Sequence, residues 1–226
     1  MKDLLEILKS TESAKVISNA IDYADYVSLD LSVANANLAN QKLDTAKDYE
    51  CYIQEYLEKS NAKIAYGGYQ EYRNLYQRSS VFKNQDSDER NIHIGLDLWI
   101  NESAPIYAPL DGTIHSFQNN EAMGDYGPTL ILKHQIENFI FHTLYGHLSL
   151  NSLEGKKIGN FVKKGQQIAS LGLPPINGDY APHLHFQIII DMENNVGDYP
   201  GVCNQKRLAF YSENCPDPNL LLKIKL

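Results

Sequence analysis

The stretch APHLHFQIII, residues 181–190, constrains the fold more than any other part of the chain. On a strand, successive side chains point to opposite faces. Leu184, Phe186, Ile188 and Ile190 therefore share one face, and His183, His185, Gln187 and Ile189 share the other. The first face is wholly apolar and requires a core against it. The second presents two imidazoles and an amide to a cleft. Imidazoles two residues apart on a strand stand roughly 6–7 Å apart at the backbone, close enough to reach one metal ion, or an ion and its bound water. Pro182 fixes the strand start, at the rim where such a site would sit. The alternative is a pair of exposed strand histidines.

From Asn91 onward, short apolar runs alternate with Gly, Pro and Asn: PIYAPL, GTIHSF, TLILKH, NFIFHTLY and NFVKKGQQIASLG. Enrichment in Val, Ile, Tyr and Phe over four to eight residues predicts strands, and the close turns predict antiparallel hairpins. The expected fold is mainly β, an antiparallel β-sandwich or barrel-like sandwich. No repeat of solenoid length is present.

The first 90 residues have another texture. Leu4, Leu5, Ile7 and Leu8 suit a short amphipathic helix, and Val27, Leu29, Leu31 and Val33 alternate as on a strand. Leu43, Ala46, Tyr49, Ile53 and Leu57 recur at helical spacing, with Gly67 and Gly68 beyond the helix end. Tyr69, Tyr72 and Tyr76 continue as an aromatic stripe, read as packing. The polar run KNQDSDER, residues 83–90, is loop-like. These features divide the chain into a mostly helical accessory segment, 1–90, and a β domain with a C-terminal tail, 91–226.

Composition narrows the partners. At 226 residues, 43% hydrophobic and 21% charged, the chain has room for one sizeable core. A net charge of −8 argues against nucleic acid or an anionic membrane surface as the main partner. No 18 apolar residues run together, so no membrane span is expected. Asp3 and Glu6 interrupt the start where a signal peptide needs basic and then apolar residues. As written, the chain is expected in the cytoplasm, or in the periplasm or outside the cell if a leader was removed or export is non-standard. Cys51, Cys203 and Cys215 lack metal-site spacing and are expected as reduced thiols, with a Cys203–Cys215 bridge as the alternative.

Two further motifs join HLH. In HIGLD, His93 and Asp97 would stand about 13 Å apart on a straight strand, too far for one metal, so Gly95 is expected to bend the chain and bring them together. In NFIFHTLYGH, alternation puts Phe139, Phe141, Thr143, Tyr145 and His147 on one side and Ile140, His142, Leu144 and Gly146 on the other. At most one of His142 and His147 joins the cleft. Gly146 permits close backbone approach and favours His147. His115, His134 and His142 are expected as ordinary surface or partly buried histidines. Imidazole and carboxylate together suit zinc, and a site with three protein ligands and an open position is catalytic. The remaining histidines are then free to move protons.

HxxxD, a strand-borne YGHLS and HLH, with LDGTI and VKKGQQIASLG between them, resemble the lysostaphin-type zinc metallopeptidases over roughly residues 91–190. The resemblance implies a duplicated-hybrid-motif β fold and an endopeptidase acting on peptidoglycan peptides. It implies one zinc ion per chain held by His93, Asp97 and His185, with His147 and His183 as the catalytic pair. A metal-activated water would attack the scissile carbonyl while one imidazole takes its proton and the other stabilises the oxyanion or protonates the leaving amine. Tyr126 or Tyr145 is an additional oxyanion donor or, as the preferred reading, strand packing. The GGYQEYR segment and the tail DYPGVCNQKRLAFYSENCPDPNLLL resemble a variant of the same fold, so a substrate other than the cell wall is a second expectation. A non-catalytic zinc-binding or regulatory module is a third. An iron oxygenase facial triad usually spaces its first histidine and carboxylate more closely than HxxxD.

Overall fold

The structure is a computed structural model that describes residues 3–38, 41–75, 89–100 and 103–224. The expected boundary at 83–90 lies mostly outside the described residues, as does Tyr76. Twelve strands are described: β1 (Tyr26–Ser28), β2 (Ile64–Gly67), β3 (Ile92–His93), β4 (Leu96–Trp99), β5 (Pro105–Tyr107), β6 (Gly112–Asn120), β7 (Gly127–Ile136), β8 (Phe139–Gly146), β9 (Phe161–Val162), β10 (Gln167–Ser170), β11 (His183–Ile189) and β12 (Val202–Cys203). Eight form one sheet in the order β1-β2-β4-β11-β8-β7-β6-β9, and β5/β10 and β3/β12 form two ribbons. The mainly β expectation holds. The large sheet is mixed, because β1 pairs parallel with β2 while its other pairs are antiparallel.

β11 lies between β4 and β8, with His185 opposite Asp97 on one side and Gly146 on the other. A strand paired on both edges and covered on both faces is buried throughout, and every residue of β11 is buried. The apolar face read from the sequence is the main core: Leu184, Phe186 and Ile188 pack with Leu96, Leu98, Leu130, Leu132, Phe141 and Tyr145. Helices α1 (Leu4–Ser10) and α4 (Asn219–Leu222) close this core through Leu4, Leu8, Leu221 and Leu222.

The opposite face carries two smaller apolar clusters. One gathers Ile131, Leu144 and Ile189 with Tyr199, Cys203, Tyr211 and Cys215. The other packs Ile53 and Leu57 of α2 (Ala46–Lys59) on Ala65, Trp99 and Ala181. Helix α2 starts at a capping box, Thr45 and Asp48 satisfying each other's backbone N–H, and buries one stripe at i, i+4 spacing. Gln187 was expected to look into a cleft. Instead its amide is buried, donating to Pro200 O at 3.1 Å and Cys215 Sγ at 3.2 Å. The tail covers that end of the face, with α3 (Leu208–Asn214) supplying Tyr211 to the cluster. The three cysteines are free thiols. No helix among the described residues is long and apolar enough to cross a membrane.

Candidate active site

The polar residues between the two satellite clusters come from four segments: the large sheet sets β4, β11 and the end of β8 side by side, and β3 leads directly into β4. The chain breaks between β3 and β4 and bends at Gly95. His93 Nε2 thereby comes within 3.3 Å of Asp97 Oδ1, where a straight strand would hold them about 13 Å apart. Gly95 has a second role, since a Cβ there would stand 2.4 Å from His185 Cε1. Only a bare backbone leaves room for that ring.

Three donor atoms converge. His93 Nε2 and His185 Nδ1 are 2.8 Å apart, and each is 3.3 Å from Asp97 Oδ1. Their other nitrogens are tied down: His93 Nδ1 lies 2.9 Å from Gly68 O, and His185 Nε2 lies 2.9 Å from Gln187 Oε1. Both partners can only accept, so these nitrogens carry the protons and the facing pair presents lone pairs. Asp97 Oδ2 accepts from Arg73 Nη1 at 2.6 Å, whereas Oδ1 is buried without a hydrogen bond. Buried carboxylate oxygens ordinarily find a donor. Two lone-pair nitrogens facing an unsatisfied carboxylate oxygen form a donor set for a cation. Zinc bonds of roughly 2.0–2.2 Å in a tetrahedron separate donors by about 3.4 Å, so only the His93–His185 edge must open. The residues fit a zinc ion, and their outward hydrogen bonds match the support that metal-bound imidazoles commonly have.

Beside this triad, His147 and His183 lie against each other with ring centroids 4.2 Å apart and planes tilted by 40°. Their Nδ1 atoms each lie 2.8 Å from a main-chain carbonyl, of Asn177 and Ala181 respectively. By the same argument, both keep Nε2 unprotonated and available. His183 Nε2 is 3.8 Å from Asp97 Oδ1, and Trp99 stacks on the same ring at 5.8 Å.

His147 reaches this face by a route that alternation does not give. On β8, Tyr145 and Phe141 face the main core, whereas Leu144 and Gly146 face the site. A continued strand would send His147 to the core side. Its φ of 62° is left-handed, and this turns the imidazole over Tyr126 and His183 instead. Gly146 allows the approach, as a Cβ there would meet the Tyr126 ring at 2.5 Å.

The other expected residues separate cleanly. Tyr126 lines the cavity with its hydroxyl 3.3 Å from His185 Nε2, while Tyr145 is fully buried and bonded to Thr143. His134 is buried between Asp111 O and Thr143, and His115 and His142 contact each other, all away from the cavity. Arg73 was not anticipated. It lies 24 residues before Asp97, and no spacing or periodicity in the sequence connects the two.

Burial sets the charge state of the cluster. It drives the His93 imidazole down to about 4 despite Asp97. It also lowers His183, and together with the neighbouring imidazoles it lowers His147 well below the ordinary range. Burial opposes ionisation of Asp97 as well, but the basic groups around it, His93, Arg73 and His183, outweigh that and hold its carboxyl well below the usual value. One carboxylate beside imidazoles that burial keeps neutral at His93, His147 and His183, facing a cavity of about 180 Å³, is an arrangement for Lewis-acid and proton-transfer chemistry.

Residues 91–196 match the family model described as Peptidase family M23. A curated relative from Haemophilus influenzae, an uncharacterized metalloprotease, is 34% identical over 99 residues, which are 44% of this chain and 19% of that protein. The chain thus corresponds to only about a fifth of that relative's length. Among solved structures, the catalytic domain of lysostaphin from Staphylococcus simulans is 25% identical, covering 68% of this chain and 94% of that one at a TM-score of 0.40. A zinc-containing peptidase from Vibrio cholerae is 29% identical over 47% of this chain and 29% of that chain, at a TM-score of 0.34. The lysostaphin-like resemblance read from HIGLD, YGHLS and HLH is matched by peptidase family M23, over residues 91–196.

Proposed function

We propose that this protein is a zinc-dependent endopeptidase that hydrolyses peptide bonds, with peptidoglycan-type peptides as the substrate class. His93, Asp97 and His185 hold one zinc ion, and His147 and His183 handle protons. A single observation carries the reading: Asp97 Oδ1 is buried without a hydrogen bond and faces His93 Nε2 and His185 Nδ1 at 3.3 Å each. An unsatisfied anionic oxygen at that depth costs several kcal/mol unless something compensates it. The family match and the metalloprotease relative support the reaction class.

Zinc bound there supplies Lewis acidity toward a peptide carbonyl and toward water. The protein's part follows from its tautomers. His147 and His183 meet the cavity through unprotonated Nε2 atoms, so either accepts a proton from water without first losing one. The imidazolium so formed returns the proton to the departing amine. Tyr126 presents a hydroxyl to the same space and is the oxyanion donor in this reading, while Tyr145 is excluded by its burial in the core. The test is incubation with purified peptidoglycan and with soluble muropeptides, with chelator and with zinc restored, read by mass spectrometry. Cleaved peptide bonds that vanish with chelator and return with zinc are expected. Intact substrates in the presence of one bound zinc would instead establish a binding module.

A further inference from the structure

Two supports of the proposed centre come from outside residues 91–196. Gly68 O accepts from His93 Nδ1, and Arg73 donates to Asp97 Oδ2. Both lie just after β2, which pairs with β4 so that Gly67 stands opposite Asp97. The same stretch is clipped to β3 by main-chain bonds, Arg73 N to Asn91 O and His93 N to Glu71 O, both at 2.9 Å. The Arg73 side chain is only 2% exposed. Its Cζ lies 5.6 Å from the Trp99 ring centroid, and its Nε donates to Glu71 Oε2. Glu71 is itself fixed, with Oε1 accepting from Leu31 N at 3.0 Å. The fit is close: a Cβ on Gly68, at φ +102°, would stand 2.1 Å from Arg73 Nη2 and 2.9 Å from His93 Nδ1.

We propose that Arg73, backed by Glu71, is a positioning residue of the metal centre, aiming Asp97 Oδ1 at the two imidazoles and setting the zinc affinity. The inference rests on the zinc reading above. It makes the upstream segment an integral part of the site, although the family match does not reach it.

The sign of the effect is not obvious. A guanidinium beside a divalent cation repels it, and on that ground alone its removal would strengthen binding. Glu71 answers the objection. Its carboxylate accepts from Nε while Asp97 accepts from Nη1, so the pair offers Asp97 a directed N–H donor with little net charge. What Arg73 then provides is orientation. It pins one carboxylate oxygen through a charge-assisted hydrogen bond and leaves the other pointing at His93 Nε2 and His185 Nδ1. Losing a residue that orients a ligand typically costs roughly 10–100-fold in metal affinity. Lysine is not an equivalent replacement, because a single ammonium cannot reproduce the fork that reaches Asp97 and Glu71 together.

The test uses the full chain with Arg73→Met, Arg73→Lys and Glu71→Gln. Zinc affinity is read by competition with a chromophoric chelator. Circular dichroism and thermal melting of the metal-free proteins establish that each variant is folded. Arg73→Met is expected to bind zinc about 10–100-fold more weakly than the parent, Arg73→Lys to fall between them, and Glu71→Gln to weaken binding by leaving the guanidinium uncompensated. Substituted cobalt should show an altered visible spectrum in Arg73→Met, which a purely structural role would not produce. Folded Arg73→Met that binds zinc as tightly as the parent, or more tightly, overturns the inference. Should Arg73→Met fail to fold, parent-like affinity in Arg73→Lys overturns it equally. A parent protein that takes up no zinc overturns the zinc reading and this inference together, a result distinct from either.

Discussion

His147 and His183 lie with ring centroids 4.2 Å apart and planes tilted by 40°, and each donates its Nδ1–H to a main-chain carbonyl, of Asn177 and Ala181. One ring comes from the bend after β8 and the other from β11, and both are held in one tautomer by backbone, which side-chain substitution elsewhere does not readily disturb. Neither belongs to the converging triad. His147→Ala and His183→Ala are therefore expected to keep a full complement of zinc and lose roughly 10²–10⁴-fold in turnover. Metal analysis and peptide hydrolysis on the same preparations check this. Parent-rate hydrolysis by His147→Ala would remove that residue from the proposed chemistry.

Asp97→Asn should have the opposite signature. The amide keeps the shape of the carboxylate, but it loses the charge and turns one atom into a donor facing imidazole lone pairs. Zinc affinity should fall further than the roughly 10–100-fold expected from losing a supporting residue. Chelator should lower the melting temperature of the zinc-loaded parent and leave that of Asp97→Asn unchanged, because binding to the folded state alone is what links metal to stability. Equal chelator sensitivity in both proteins would count against Asp97 as a ligand.

Gly95→Ala tests the close approach of β4 to His185. The added methyl would stand 2.4 Å from Cε1 and 2.5 Å from Nε2 of that ring. Either the ring moves out of the triad or the backbone shifts, at a cost of about 1–3 kcal/mol. The expected outcome is a folded, modestly destabilised protein with weakened zinc binding, measured by denaturant unfolding and chelator competition. Parent-like zinc affinity would mean that the ring tolerates the methyl.

The pH dependence of stability can be examined away from the metal cluster. Burial pushes His134 down to about 4, between Asp111 O and the Thr143 hydroxyl. The ordinary value near 6.5 applies to the unfolded chain, which therefore binds the proton first as pH falls. The contribution is fully present above about 6.5 and is lost as pH falls through 4. At most it is on the order of 3 kcal/mol, from a shift of about 2.5 pH units at 1.36 kcal/mol each. Denaturant unfolding of parent and His134→Gln, both metal-free, at pH 7 and pH 4.5 isolates it. The parent should lose more stability across that interval than the variant, and equal losses would contradict the burial argument.

How much of this was readable from sequence depends on how local the physics is. The opposed faces of β11 were legible because alternation is a property of one strand, and Leu184, Phe186 and Ile188 do face the main core. The bend at Gly95 was legible because HxxxD cannot converge on an extended chain. The orientation of His147 was not, since a single left-handed residue after β8 reverses what alternation gives. Alternation places Gln187 on the cleft face with the two imidazoles, and nothing in HLHFQIII tells that Pro200 and Cys215 fold over it. The GGYQEYR segment stands out in the sequence, but the contact of its Gly68 and Arg73 with the site does not, for a related reason. They reach the site only because β2 pairs with β4, and pairing between strands far apart in sequence leaves no local signal.

The most direct test of the central claim is X-ray diffraction from zinc-loaded crystals at energies just above and below the zinc absorption edge. The account predicts one anomalous peak about 2.0–2.2 Å from each of His93 Nε2, Asp97 Oδ1 and His185 Nδ1. It should be absent from Asp97→Asn crystals grown in the same solution. A zinc peak elsewhere in the molecule, with these three side chains uncoordinated, would contradict it.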